Sequence, residues 1–152
     1  MWKFAELHAY LQTQPSVVDA SAWHTPREDP PHEWFEAVHE HEYYHSFRAG
    51  TLSTAEARRI GFGDQTQRPE LIQRTILECS GTVQTARLAL QSGIACNLAG
   101  GTHHAHRSFG SGFTILNDLA VTASYVRHYE GIHRIAIVDL DVHQGDGERA
   151  PP

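Results

Sequence analysis

Arg134-Ile135-Ala136-Ile137-Val138-Asp139-Leu140-Asp141-Val142-His143-Gln144-Gly145-Asp146-Gly147 decides how the chain is read, because it changes character halfway. Its first half, Ile135 to Val138, is an apolar, β-branched run of the kind that fills a buried strand. Its second half alternates acid, apolar, acid, apolar, imidazole. Successive side chains of a strand point to opposite faces, so Asp139, Asp141 and His143 are expected on one face, with Leu140 and Val142 on the other. Two carboxylates and an imidazole held so close need a positive charge among them, and a divalent metal supplies one. Oxygen and nitrogen donors without thiolate suit zinc, or iron or manganese in an open catalytic site. The plainer alternative is a strand end with solvated acids and a helix-capping Asp146.

Working outward, Ile94-Ala95-Cys96-Asn97-Leu98-Ala99 is a second short apolar run, stopped by Gly100-Gly101, and predicts another buried strand. Between the two, Asn117 or Asp118 caps a helix through about Tyr129, closed by Gly131. Strand, loop, helix, strand at this spacing predicts a parallel βαβ unit and an α/β fold. Upstream, Leu71, Ile72, Thr75, Ile76, Cys79, Val83, Ala86 and Leu90 recur at helical spacing and predict the longest helix over 69–91, ended by Gly93. Shorter helices are expected over 2–13, from Pro30-Pro31 through His39, over 41–49, and over 55–60 with Ser53 or Thr54 as cap; Val17-Val18 reads as a short strand.

Composition narrows the function. The 152 residues fit one domain, and a net charge of −6 without any basic run excludes nucleic-acid or anionic-membrane binding through phosphate contacts. No run of about eighteen apolar residues or signal-type leader stands out, so a cytoplasmic location is expected. Cys79 and Cys96 lack CxxC spacing and read as buried thiols of a reducing compartment. Trp2, Trp23 and Trp34 read as core or rim packing. His39, His41 and His45 lie among acids, and a second metal site is conceivable because His41 and His45 are one helical turn apart. The favoured reading there is a solvated helical face with Tyr43, Tyr44 or Phe47 turned inward.

Gly100-Gly101-Thr102-His103-His104-Ala105-His106 is the other segment with chemistry in it. After two glycines the tandem histidines lie in a turn and can converge. Paired imidazoles beside a metal are natural proton-transfer groups, because their pKa lies near neutrality and a carboxylate tunes it. Taken alone, the segment reads better as two surface loop histidines, or as one structural and one exposed histidine.

Together these blocks, with Gly112-Phe113 and Asn117-Asp118 between them, resemble the histone deacetylase family, and most closely its bacterial branch often grouped with the class IV enzymes. Weaker agreement reaches back through Gly93-Ile94-Ala95, Arg58-Arg59-Ile60-Gly61-Phe62, Gly50, Val38-His39 and Thr25-Pro26-Arg27. The resemblance implies the arginase/deacetylase fold, a parallel sheet with helices on both faces. It implies zinc held by Asp141 and His143 together with a later Asp, and tandem histidines His103 and His104 backed by Asp139 and Asp146. His104 is then the general base and acid, and His103 an electrostatic stabiliser. Gly112 and Phe113 line an acyl-lysine tunnel, and the backbone oxygens of Asp139, Asp141 and His143, with the Asp139 carboxylate, belong to a structural potassium site. The implied substrate is an acyl-lysine peptide or a small acylated amine; the oligomeric state is open.

Departures from the family bear on activity. Glu148-Arg149-Ala150-Pro151-Pro152 follows where the family continues, so a third zinc ligand and an oxyanion tyrosine have no counterpart. The first strand also has none. Residues 1–152 are therefore expected to be a single partial deacetylase domain, its N-terminal part, with an incomplete sheet. Thr114 stands where cysteine is usual, and Gln144 fits the bacterial branch. Two alternatives stand beside the hydrolase: a non-catalytic fragment or pseudoenzyme, and a ureohydrolase on the arginase scaffold. The latter lacks its Asp-x-Asp-x-x-Asp block and leaves His103-His104 unexplained.

Overall fold

A computed structural model describes residues 2–149. The expectation attached to Ala150-Pro151-Pro152 lies outside them. Six α-helices follow in order: α1 (Trp2–Gln12), α2 (His32–Glu36), α3 (His41–Arg48), α4 (Thr54–Ile60), α5 (Pro69–Ser92) and α6 (Asp118–Tyr129). Short 3-10 turns occupy Ala20–Ala22, Gly63–Gln67 and Asp146–Arg149.

Local chemistry explains the boundaries. Ser53 accepts the Glu56 N–H while the Glu56 carboxylate accepts the Ser53 N–H, a reciprocal capping box that starts α4, and left-handed Gly61 ends it. Pro69 opens α5, where its missing N–H costs nothing, and left-handed Gly93 closes it. Asn117 caps α6 by accepting the Ala120 N–H. Glu40, whose side chain makes no cap bond, precedes α3.

The core is built by helices and by the loop before α6. Phe35 of α2 stacks on Tyr44 of α3 at 4.9 Å with planes 6° apart. Tyr43, Phe47, Leu52, Ile60, Leu71, Ile76, Cys79, Val83, Ile115, Leu116 and Val121 complete it. As expected, Tyr43, Tyr44 and Phe47 turn inward. The buried face of α5 runs out after Val83; Leu90 is exposed although it continues the apolar spacing. Trp34 packs edge-on against Tyr125 beside the core. Trp2 stands exposed on α1, which buries none of its residues, so the packing expected for it is not found. No helix among the described residues is long and apolar enough to cross a membrane.

The parallel sheet with helices on both faces is not present. Among the described residues there is no β-strand, and an isolated antiparallel bridge between Ser111 and Thr114 is the β-type pairing found. Ile94–Ala99 and Ile135–Val142 run as irregular chain with Ile94, Val138, Leu140 and Val142 exposed. Val17-Val18 lies in turns. The physical reason is that a strand exists through pairing: its N–H and C=O groups need a neighbouring backbone. Among the described residues neither apolar run meets one. Cys96, carried on the first of these segments, is correspondingly exposed, whereas Cys79 on α5 is buried as expected.

Candidate active site

The loop from Gly100 to Asn117 is fixed from beneath by two buried residues that sequence reasoning did not single out for this task. Asp118, fully buried, accepts the N–H groups of Gly101 at 3.0 Å and Thr102 at 2.8 Å, and the Thr82 hydroxyl of α5 at 2.6 Å. The Thr102 hydroxyl lies 2.6 Å from both Asp118 Oδ1 and the Leu116 carbonyl, and accepts the Asp118 N–H at 2.9 Å. His39 closes the other end: its Nε2 accepts the Asn117 N–H at 3.0 Å. Its Nδ1 therefore carries the proton, shared between the carbonyls of His106 at 3.1 Å and Arg107 at 3.3 Å. Burial pushes the His39 pKa down to about 4, which keeps it neutral. The Asn117-Asp118 pair had read as a cap and as one block of the family resemblance, and His39 as part of a solvated face, neither with this supporting role; the bonds to residues 67 and 78 positions away left no local sign.

On this support sit two imidazole–carboxylate pairs. His103 Nδ1 lies 2.7 Å from Asp139 Oδ2, and His104 Nδ1 lies 2.7 Å from Asp146 Oδ1. His106 Nε2 approaches the other Asp146 oxygen at 3.4 Å. The Asp141 N–H, and then His103, hold the Asp139 carboxyl below the usual range; His104 does the same for Asp146. Ionised carboxylates only accept, so Nδ1 of each ring is the donor and each Nε2 is left able to take a proton. The two rings lie 4.1 Å apart at 60°, His103 buried and His104 half-buried. Gly147 locks the arrangement: its N–H donates to the His103 carbonyl at 2.8 Å, and a Cβ there would collide with the carbonyls of His103 and Ala105.

Asp141 and His143 stand beside this pair. The His104 and His143 rings are 6.0 Å apart. Asp141 Oδ1 lies 3.0 Å from His143 Nδ1 and accepts the His143 N–H at 2.7 Å. These bonds hold the Asp141 carboxyl low, the backbone bond first. An oxygen and a nitrogen at that separation fit two corners of a tetrahedral zinc, whose ligand atoms sit about 3.3 Å apart. Among the described residues no third carboxylate, imidazole or thiolate joins them to make a trio.

Gly112 and Phe113 form the rim. A Cβ on Gly112 would meet the His104 ring at 2.6 Å, so only glycine lets this turn lie against the imidazole. Phe113 is itself left-handed (φ 61°), a conformation that costs a non-glycine residue on the order of 1–3 kcal/mol. Its N–H donates to the Ile60 carbonyl at 2.8 Å, and its ring, two-thirds exposed, meets Phe62 edge-on at 5.5 Å. A cavity of about 160 Å³ opens between Phe62, Phe113, Glu78 and Thr102.

Residues 1–150 match the family model for the histone deacetylase domain. An uncharacterized protein of Picosynechococcus sp. is 45% identical over 147 residues, covering 97% of this chain and 47% of the relative. The acetoin utilization protein AcuC of Staphylococcus aureus is 32% identical over 117 residues, covering 72% of this chain and 30% of the relative, and that of Staphylococcus xylosus 31% over the same length. The chain thus spans less than half the length of these relatives. It belongs to the histone deacetylase family.

Proposed function

We propose that the chain carries the proton-transfer machinery of an amide hydrolase that removes acetyl or other acyl groups from acyl-lysine peptides or small acylated amines. The observation that carries this reading is the pair of imidazole–carboxylate dyads, packed ring against ring beside Asp141 and His143. Asp141 and His143 are the residues that would hold zinc, which when bound would polarise the amide carbonyl and acidify water. His104, anchored through Nδ1 on Asp146, takes the proton of the attacking water at Nε2 and returns it to the leaving amine. His103, on the more buried dyad, serves as an electrostatic stabiliser of the developing charge. Gly112 and Phe113 flank the acyl chain. The backbone oxygens of Asp139, Asp141 and His143, with the Asp139 carboxylate that also accepts the Asp141 N–H and pairs with His103, would hold a structural potassium, and no step depends on it. The same proposal places the chain in the cytoplasm, in keeping with its two free cysteines.

The test is turnover of a fluorogenic acetyl-lysine peptide by the zinc-loaded chain. Hydroxamate-sensitive cleavage is expected, with His104→Ala lowering kcat by about 10²–10³. Hydrolysis of arginine or agmatine instead would overturn it. A second reading, a non-catalytic member that keeps the dyads, is favoured by the exposure of the Asp141 and His143 side chains, 51% and 74%, and by the lack of a third ligand among the described residues. Zinc held through gel filtration without any turnover would decide for that reading.

A further inference from the structure

A second imidazole–carboxylate cluster lies on α2 and α3, and none of its residues takes part in the candidate active site. Glu36, the last residue of α2, places Oε1 2.6 Å from His45 Nε2 and 3.0 Å from His41 Nδ1. The three atoms all lie within 4.8 Å of one another. His41 and His45 are one turn apart on α3, which puts both rings on one face, 4.2 Å between centroids. The four-residue link after α2 turns its end back over that face.

We propose that Glu36, His41 and His45 bind a divalent transition metal, zinc by its donor set. Two imidazole nitrogens and a carboxylate oxygen, without thiolate, are a recurring three-ligand zinc set that leaves a fourth position for water. Tetrahedral coordination needs ligand atoms about 3.3 Å apart. The two shortest separations, 2.6 and 3.0 Å, have to open by about 0.7 and about 0.3 Å, as the ring N–H protons give way to the ion. The cluster is open to solvent, with His41 the most exposed, so an ion has a route in.

Occupancy reaches beyond the surface. The metal ties the five-residue α2 to α3, and His39 lies in the link between them, bonded to the loop that carries His103 and His104. Zinc here acts as a staple under the candidate active site.

The experiment uses the full chain with zinc alone as probe, in an Asp141→Asn/His143→Ala background that removes the other candidate ligands. One zinc equivalent by equilibrium dialysis is expected to remain. Zinc at a hundredfold above its dissociation constant should raise Tm by on the order of 5–10 °C. Glu36→Gln keeps an oxygen that accepts the histidine N–H groups but loses the charge. It should weaken zinc at least tenfold while leaving the metal-free circular dichroism unchanged. His45→Ala should abolish binding. No zinc in the double-variant background, or zinc indifferent to Glu36→Gln and His45→Ala, would overturn the proposal. Because the catalytic ligands are already removed, this outcome is separate from the failure of the deacylase reading.

Discussion

Helices α5 and α6 and the segment 133–143 draw on the same kinds of side chain and end up in opposite places. Ile76, Val83 and Val121 of the helices are at most 1% exposed, whereas Leu140 and Val142 are 91% and 92% exposed. A helix closes its own backbone hydrogen bonds, so its apolar stripe needs only another surface to cover it. An irregular segment must find partners for its backbone elsewhere, and 139–143 finds them in its own carboxylates: Asp139 accepts the Asp141 N–H, and Asp141 accepts the His143 N–H. Burial therefore marks what supports the candidate site, and exposed side-chain bonding marks its candidate metal ligands.

The comparison can be broken most severely at Asp118. Asp118→Ala removes the acceptor of the buried Thr102 N–H and of the part-buried Thr82 hydroxyl and Gly101 N–H, so we expect a loss of about 3–5 kcal/mol in urea unfolding, together with loss of the chemical shifts that report the His103–Asp139 contact. Within the helices, Ile76→Ala should cost about 2–4 kcal/mol through the cavity it leaves, read from the same denaturant midpoint with an unchanged slope. His39 sharpens the contrast through pH. Its folded pKa, about 4, lies below the 6.5 of the unfolded chain, so its stability is complete above pH 6.5 and is lost as pH falls toward 4. Between pH 7 and 5 this amounts to about 2 kcal/mol, and His39→Gln should flatten that part of the stability profile. The smallest effect belongs to the exposed segment, where Leu140→Ser should shift stability by less than about 0.5 kcal/mol. A cost like that of Ile76→Ala would show that this segment is covered in solution.

What the sequence disclosed divides along the same line. Ser53, Gly61, Pro69, Gly93 and Asn117 act over one turn of chain, and the helices they bound were legible. The apolar runs at 94–99 and 135–142 expressed a preference for strand, but pairing depends on a neighbour that a local pattern does not contain. The dyads join residues 36 and 42 positions apart, so spacing alone could not match His103 with Asp139 or His104 with Asp146; the family resemblance did. The supporting roles of His39 and Asp118 stayed hidden for a further reason. A buried polar residue looks like a surface one until its partners are known.

The Asp139 side chain has a consequence for mutational tolerance. One of its oxygens sets the local backbone through the Asp141 N–H, and the other orients His103. An asparagine there has one acceptor for two donors and turns an amide N–H toward the second. The most conservative replacement thus forces a choice between the shape of the segment and the tautomer of the imidazole. Substitutions at position 139 are predicted to be correlated with changes at 103 or 141 rather than accepted singly, linking two otherwise separate properties through one carboxylate.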